Sequence, residues 1–266
     1  MQGFRKQCKS ALLVLSLAIL FLPFGSMAQD TSETRIKEGD KLKLGKEIYE
    51  IYCLICHGSE GDGRGFVGTI RRVEKSGRIL EIFPRDLATG VFRFRTTPTG
   101  CLPDDKDLLR IVSEGIPRSF MPPHKEIPLE EKEAVKEYIK TFSPRWEEEE
   151  LCEPITAKKP QWVGSTVSVK KGEKIYKDMK CGECHGYEGK GDGPKSNDLK
   201  DDWGKPILPF NFSTGELKRG STPENIYITF TTGLDGTGMP SYEDSLNEED
   251  RWHLVSYTLK LMRRVK

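Results

Sequence analysis

Apolar and polar positions along this chain of 266 residues form a pattern that occurs twice. Val135, Tyr138, Ile139 and Phe142 keep the i, i+3, i+4, i+7 spacing of one helical face, and Trp252, Val255, Leu259 and Met262 keep i, i+3, i+7, i+10. Both stretches open on glutamates, which suit the positive end of a helix dipole. They predict two amphipathic closing helices whose stripes are domain core. Upstream, Gly45 is followed by Ile48-Tyr49 and Gly172 by Ile175-Tyr176, so each half begins with a short leading helix that packs one side. A middle helix is expected over roughly 104–113 and again over 223–231. The periodicity reads as one helical domain written twice.

Residues 144–166 break the pattern with the run Glu147, Glu148, Glu149, Glu150, then Pro154 and Lys158-Lys159-Pro160, which is linker composition. The expected organisation is a first domain over 35–145, a linker over 146–166 and a second domain over 167–266. At the start, Arg5, Lys6 and Lys9 precede an apolar stretch over 11–24, and Ser26-Met27-Ala28 places small residues at the −3 and −1 positions of a cleavage site. Residues 1–28 therefore read as a secretory signal, leaving a mature chain that begins near Gln29. An uncleaved anchor is the rival, but these 14 residues fall short of the roughly 20 needed to span a bilayer. Cys8 precedes the apolar core and so is badly placed for a lipoprotein anchor.

Loss of that segment removes three positive charges and no negative one, so the formal net charge moves from +1 to −2. A near-neutral chain has no basic stripe for nucleic acid. Hydrophobic content of 36% is low for so long a chain, and a large apolar prosthetic group would supply part of the missing core.

Two pentapeptides identify such a group: Cys53-Leu54-Ile55-Cys56-His57 and Cys181-Gly182-Glu183-Cys184-His185. C-x-x-C-H is the attachment signature of a c-type haem. Two thiols three positions apart add to the vinyl groups of one porphyrin edge, and the next residue sets an imidazole under the iron. A zinc site would need two neighbouring pairs, and these lie 128 positions apart. A redox dithiol would not need His after the second Cys in both copies. After each motif come dense glycines, 58–63 and 186–193, which mark a loop. A dinucleotide fingerprint fails there because no strand precedes it. Further on, Gly115 precedes Met121-Pro122 by the interval that separates Gly233 from Met239-Pro240.

With these motifs in order, the sequence resembles a tandem dihaem class I c-type cytochrome over nearly all of the mature chain. The resemblance implies an all-α fold of two small helical domains, each wrapped around one covalently attached haem c. It assigns Cys53, Cys56, Cys181 and Cys184 to covalent attachment, His57 and His185 to the proximal position, and Met121 and Met239 to the sixth iron position. His124 competes with Met121, and His253, expected as a partly exposed helix residue, competes with Met239. Backbone carbonyls near Pro84 and Pro209 are the expected partners of the proximal rings. Arg85, Arg93 and Arg95 are candidate propionate contacts.

Cys101 and Cys152 remain, and in an oxidising compartment a leftover pair tends to join; two buried free thiols are the alternative. Lys170, Lys171, Lys174, Lys177 and Lys180 form a candidate basic docking face, and the acidic run a second one. The expected function is periplasmic single-electron transfer between redox partner proteins of a respiratory oxidoreductase or oxidase, as a free carrier or as a fixed subunit. The stretch from Pro84 through Pro103 is similar to dihaem subunits of such complexes. Membrane contact is expected only through a partner complex or an uncleaved first segment. The alternative from another class is a dihaem peroxidase or reductase, in which one haem lacks its sixth ligand.

Overall fold

In the computed structural model, residues 38–73 and 79–265 are described, and these belong to one compact unit. The expected signal segment lies outside the described residues. Among those described, no helix is long and apolar enough to cross a membrane.

The chain is mostly helical, as expected. The first half contains α1 (Glu38–Tyr52), the single turn α2 (Leu54–His57), α3 (Asp105–Glu114), α4 (Leu129–Lys140) and the turn α5 (Arg145–Glu148). The second half contains α6 (Thr166–Asp178), the turn α7 (Gly182–His185), α8 (Pro223–Thr232) and α9 (Glu248–Leu261). One departure is a small antiparallel hairpin, β1 (Ile70–Val73) with β2 (Ile79–Ile82), in which Ile70 faces Ile82. The runs are too short for period-two alternation to announce them.

Local chemistry sets the helix ends. Asp104, Ser165, Thr222 and Asn247 each accept a backbone N–H from the first turn of α3, α6, α8 and α9. Pro223 opens α8, where its missing N–H costs nothing. Gly115 and Gly233 end α3 and α8 at φ 66° and 63°, a conformation that other residues adopt only with strain.

In each half the leading and closing helices pack together, α1 on α4 and α6 on α9. Closeness is the reason for glycine at both contacts: a Cβ on Gly45 would collide with the Ala134 carbonyl, and one on Gly172 with the His253 carbonyl. Around these contacts lie two separate cores. Ile48, Tyr49, Leu108, Val112, Val135 and Ile139 build the first. Val169, Tyr176, Ile226, Phe230, Leu254 and Val255 build the second.

Charged residues tie the halves together. Arg95 is fully buried and engages Asp235 of the second half at 2.8 Å. Its remaining donors go to the carbonyls of Pro98, Phe92 and Thr232 at 3.0, 3.2 and 3.2 Å. Asp235 also accepts from Thr99 Oγ1 at 2.8 Å and from the Gly100 amide at 2.9 Å. Arg93 meets Asp201 at 2.9 Å. The stretch read as linker is strapped to the first half. Cys101 and Cys152 are bonded, with Cα atoms 6.2 Å apart, Arg145 donates to the carbonyls of Gly90 and Gly100, and the Ile155 amide donates to Thr96.

Two substitutions test these contacts by chemical denaturation. Gly172→Ala improves helix propensity by about 1 kcal/mol, yet overpacking against a backbone carbonyl costs about 1–3 kcal/mol, so a net loss of stability is expected; a gain would show that the helices are not in contact there. Arg95→Met removes the cation beside Asp235, which keeps its Thr99 and Gly100 donors, and is expected to cost about 3 kcal/mol, whereas a loss below about 1 kcal/mol, the scale of a surface pair, would mean the tie is solvated.

Candidate functional site

Each C-x-x-C-H is one helical turn. His57 N–H donates to the Cys53 carbonyl and His185 N–H to Cys181, both at 2.9 Å, so each pair of cysteines, three positions apart, shares a face of its turn. The leading helix holds the end of that turn through a tyrosine. Tyr49 Oη donates to Gly58 O, and Tyr176 Oη to Gly186 O, each at 2.7 Å.

A second contact orients each imidazole. His57 Nδ1 lies 3.0 Å from the Arg85 carbonyl and His185 Nδ1 lies 3.3 Å from the Phe210 carbonyl. A carbonyl only accepts, so Nδ1 carries the hydrogen and Nε2 keeps a free lone pair. Burial pushes both imidazole pKa values down, which also favours the neutral ring. The acceptors are the residues directly after Pro84 and Pro209. Their segments are set by matching backbone bonds, Leu87 N–H to Gly61 O and Phe212 N–H to Gly189 O, both 2.7 Å.

The methionine loops are also duplicates. Ile116 N–H donates to Met121 O at 3.1 Å and Leu234 N–H to Met239 O at 3.0 Å, closing each loop just after its capping glycine. Inside the loops, Ser119 Oγ accepts from Met121 N–H at 3.1 Å and Thr237 Oγ1 from Met239 N–H at 3.2 Å. The fixed interval from Gly to Met is the length of this closed loop.

Cys53, Cys56, His57 and Met121 line the same continuous cavity as Cys181, Cys184, His185 and Met239. Its volume is about 2090 Å³, roughly twice the upper end of the usual 300–1,000 Å³ for a ligand pocket. Protein interiors close up around voids far smaller than this. A mainly hydrophobic cavity of that size, with a neutral imidazole lone pair and a thioether from each half, fits two porphyrins.

The rivals find no support in the donor sets. Burial pushes the Cys53 thiol up to about 12 and Cys181 up to about 11, opposite to the lowered value a reactive dithiol needs. Among the described residues no three His, Cys, Asp or Glu side chains are grouped to hold a metal ion.

His124 does line the cavity, with its ring edge-on to Tyr52 at 5.5 Å and Nδ1 3.4 Å from Glu126. His253 differs from its expected exposure. It is buried between helices, with Nδ1 2.9 Å from Ser168 Oγ, Nε2 3.1 Å from Glu249 and its ring 4.6 Å from Trp162. Both its nitrogens are occupied by protein, so it has none left for a metal.

Arg85 and Arg93 line the cavity, but Arg95 does not. The propionate role expected for Arg95 is corrected: all its nitrogens are taken by Asp235 and three carbonyls. Of the lysines read as a docking face, Lys171, Lys174 and Lys177 pair with Glu249, Asp178 and Glu173. Sequence reasoning missed the two tyrosine hydroxyls, although both tyrosines sit at the same place in the repeat. It also missed Trp203, Lys218 and Arg219, which line the cavity from the second half and have no counterpart in a motif.

The Cytochrome c family matches residues 169–261, and the family described as Cytochrome C oxidase, cbb3-type, subunit III matches residues 40–139. Comparison with curated proteins finds no match. Among solved structures, a chain of the Kuenenia stuttgartiensis reducing HAO-like protein complex Kustc0457/Kustc0458 is 38% identical. The alignment covers 84% of this chain and 96% of that one, with a TM-score of 0.76. One cytochrome family matched in each half, together with a relative this similar over nearly its whole length, means that the chain belongs to the c-type cytochromes, as a tandem of two cytochrome c domains.

Proposed function

We propose that this chain is a periplasmic dihaem electron-transfer protein with one His/Met site in each half, acting as a subunit of a larger oxidoreductase complex. The observation that carries the reading is the duplicated pairing of an oriented histidine with a closed methionine loop on one shared cavity. When bound, each haem c supplies a reversible one-electron iron couple. Cys53, Cys56, Cys181 and Cys184 would hold the groups covalently. His57 and His185 present Nε2, and Met121 and Met239 present soft neutral sulfurs, which favour the reduced metal. Held by a histidine and a methionine in each half, the groups would have no position left for a substrate, and the chain's residues would serve conduction.

A difference between the halves favours a fixed partner. In the first half, Ile51, Ile55 and Phe66 around the motif are 68%, 53% and 97% exposed. The repeat puts Asp178, Glu183 and Pro194 in their places. Val67 N–H bonds Ile55 O just as Lys195 N–H bonds Glu183 O, both at 2.9 Å, but Glu183 and Lys195 form an ion pair where Ile55 and Val67 are apolar. Three exposed apolar residues gather at the first site against Tyr187, 68% exposed, at the second, and the larger patch suits a protein interface there. The solved relative, a component of a protein complex by its description, supports the same reading.

A redox titration followed by ligand-sensitive spectra tests the sites. Two haems c per chain are expected, both ferric forms low-spin. Met121→His and Met239→His should each lower one midpoint by at least the about 59 mV that equals a tenfold change for one electron. A high-spin ferric haem that binds cyanide readily at neutral pH would refute double His/Met ligation. Purification from the native source tests the partner: co-elution with a second redox subunit, lost in an Ile55→Glu, Phe66→Glu variant, is expected, and persistent isolation as a lone monomer would make it a free carrier.

A further inference from the structure

Where the two halves meet, the cavity is lined by more cations than the protein balances. Arg85, Arg93 and Arg118 come from the first half, and Lys218 and Arg219 from the second. Asp201 takes one nitrogen of Arg93 at 2.9 Å, and Asp107 lies 3.9 Å from Arg219 Nη2. Arg85 and Arg118 rest on rings, 4.6 Å from Trp203 and 5.1 Å from Phe210, and Arg118 also reaches Thr214 Oγ1 at 2.7 Å.

Arg219 is only 5% exposed, yet its Nε and Nη1 are buried without a partner, as is Nε of Arg93. A buried guanidinium hydrogen left unpaired is costly, and more so because the group is charged. Burial, then the neighbouring Arg93, Arg118, Arg72 and Arg85, pushes Lys218 down to about 8. The charged groups around Lys218 and Arg219 belong to the first half, Asp107, Arg110 and Arg95 being those beside Arg219. Two consecutive cations of the second half therefore stand inside the electrostatic surroundings of the first. The group they lack is an anion that lies in the cavity and offers paired oxygens.

We propose that this cluster binds the propionate carboxylates of haem, and that the first-half haem site is completed by Lys218 and Arg219 of the second half. The inference rests on the haem reading above. Carboxylates accept charge-assisted bonds from guanidinium forks in pairs, which would engage the unpaired nitrogens of Arg219 and Arg93. The first half would then be incomplete as a cofactor site by itself, although it carries a full attachment motif.

Spectroelectrochemistry on the holoprotein tests this, with Met121→His marking which midpoint belongs to the first half. Removing a cation beside a haem favours its oxidised form. Lys218→Met and Arg219→Gln are each expected to lower the first-half midpoint by about 59 mV or more, a tenfold change in a one-electron equilibrium. Lys218→Arg should retain the parent value. A first-half midpoint that stays in place in both variants, or a shift confined to the second half, would overturn the proposal. Should Arg219→Gln fail to fold by circular dichroism, Lys218→Met decides alone. If Met121→His moves neither midpoint, the ligand reading has failed; if it moves one while Lys218→Met and Arg219→Gln move none, only this inference has.

Discussion

An imidazole turns about two single bonds and can offer either nitrogen, so a site that depends on one lone pair depends first on holding the ring. Here the hold is a hydrogen bond from Nδ1 to a backbone carbonyl, Arg85 for His57 and Phe210 for His185. A backbone acceptor is useful only if its own segment is fixed, and much of each half serves that end. The glycine loop bonds to the carbonyl-bearing segment, the tyrosine of the leading helix pins the loop, and the closing helix packs on the leading helix through the bare face of Gly45 or Gly172. The methionine loop is built with the same economy, since one glycine ends a helix and one backbone bond closes the loop.

These features were unequally legible in the chain. The attachment motifs, the closing helices and the interval from Gly to Met could be read because each is a local spacing, and local spacing survives in sequence. The glycines of α1 and α6 were visible but unexplained, since the carbonyls they touch lie about eighty to ninety residues away. Charge was the least legible property. Arg95 is written like any surface arginine, and only the fold shows it sealed against Asp235. His253 shows the same error: a polar residue expected to be partly exposed, buried because Ser168 and Trp162 cover it.

The repeat also works as an internal control, because the two halves share a backbone plan and differ in surface chemistry. Where the plan is shared, as in the tyrosine, the histidine acceptor and the methionine loop, the common cause is the site. Where they diverge, the shared attachment chemistry is not the cause. Ile55 and Val67 in one half and the Glu183–Lys195 ion pair in the other occupy the same places on the same backbone. Covalent attachment does not require that difference.

Asp235 lies between Gly233 and Met239, within the methionine loop of the second half, while the groups that hold it, Arg95, Thr99 and the Gly100 amide, all belong to the first. Those groups directly precede Cys101, whose bond to Cys152 anchors the chain on its way to the second half. A duplicated domain is ordinarily a separable part that could be excised, swapped or reordered. This duplication is less free: apart from the first half, the second would lose the Arg95, Thr99 and Gly100 groups that hold Asp235, and Arg95 would lose Asp235 and the Thr232 carbonyl and face water, so the two halves are to be engineered as a pair.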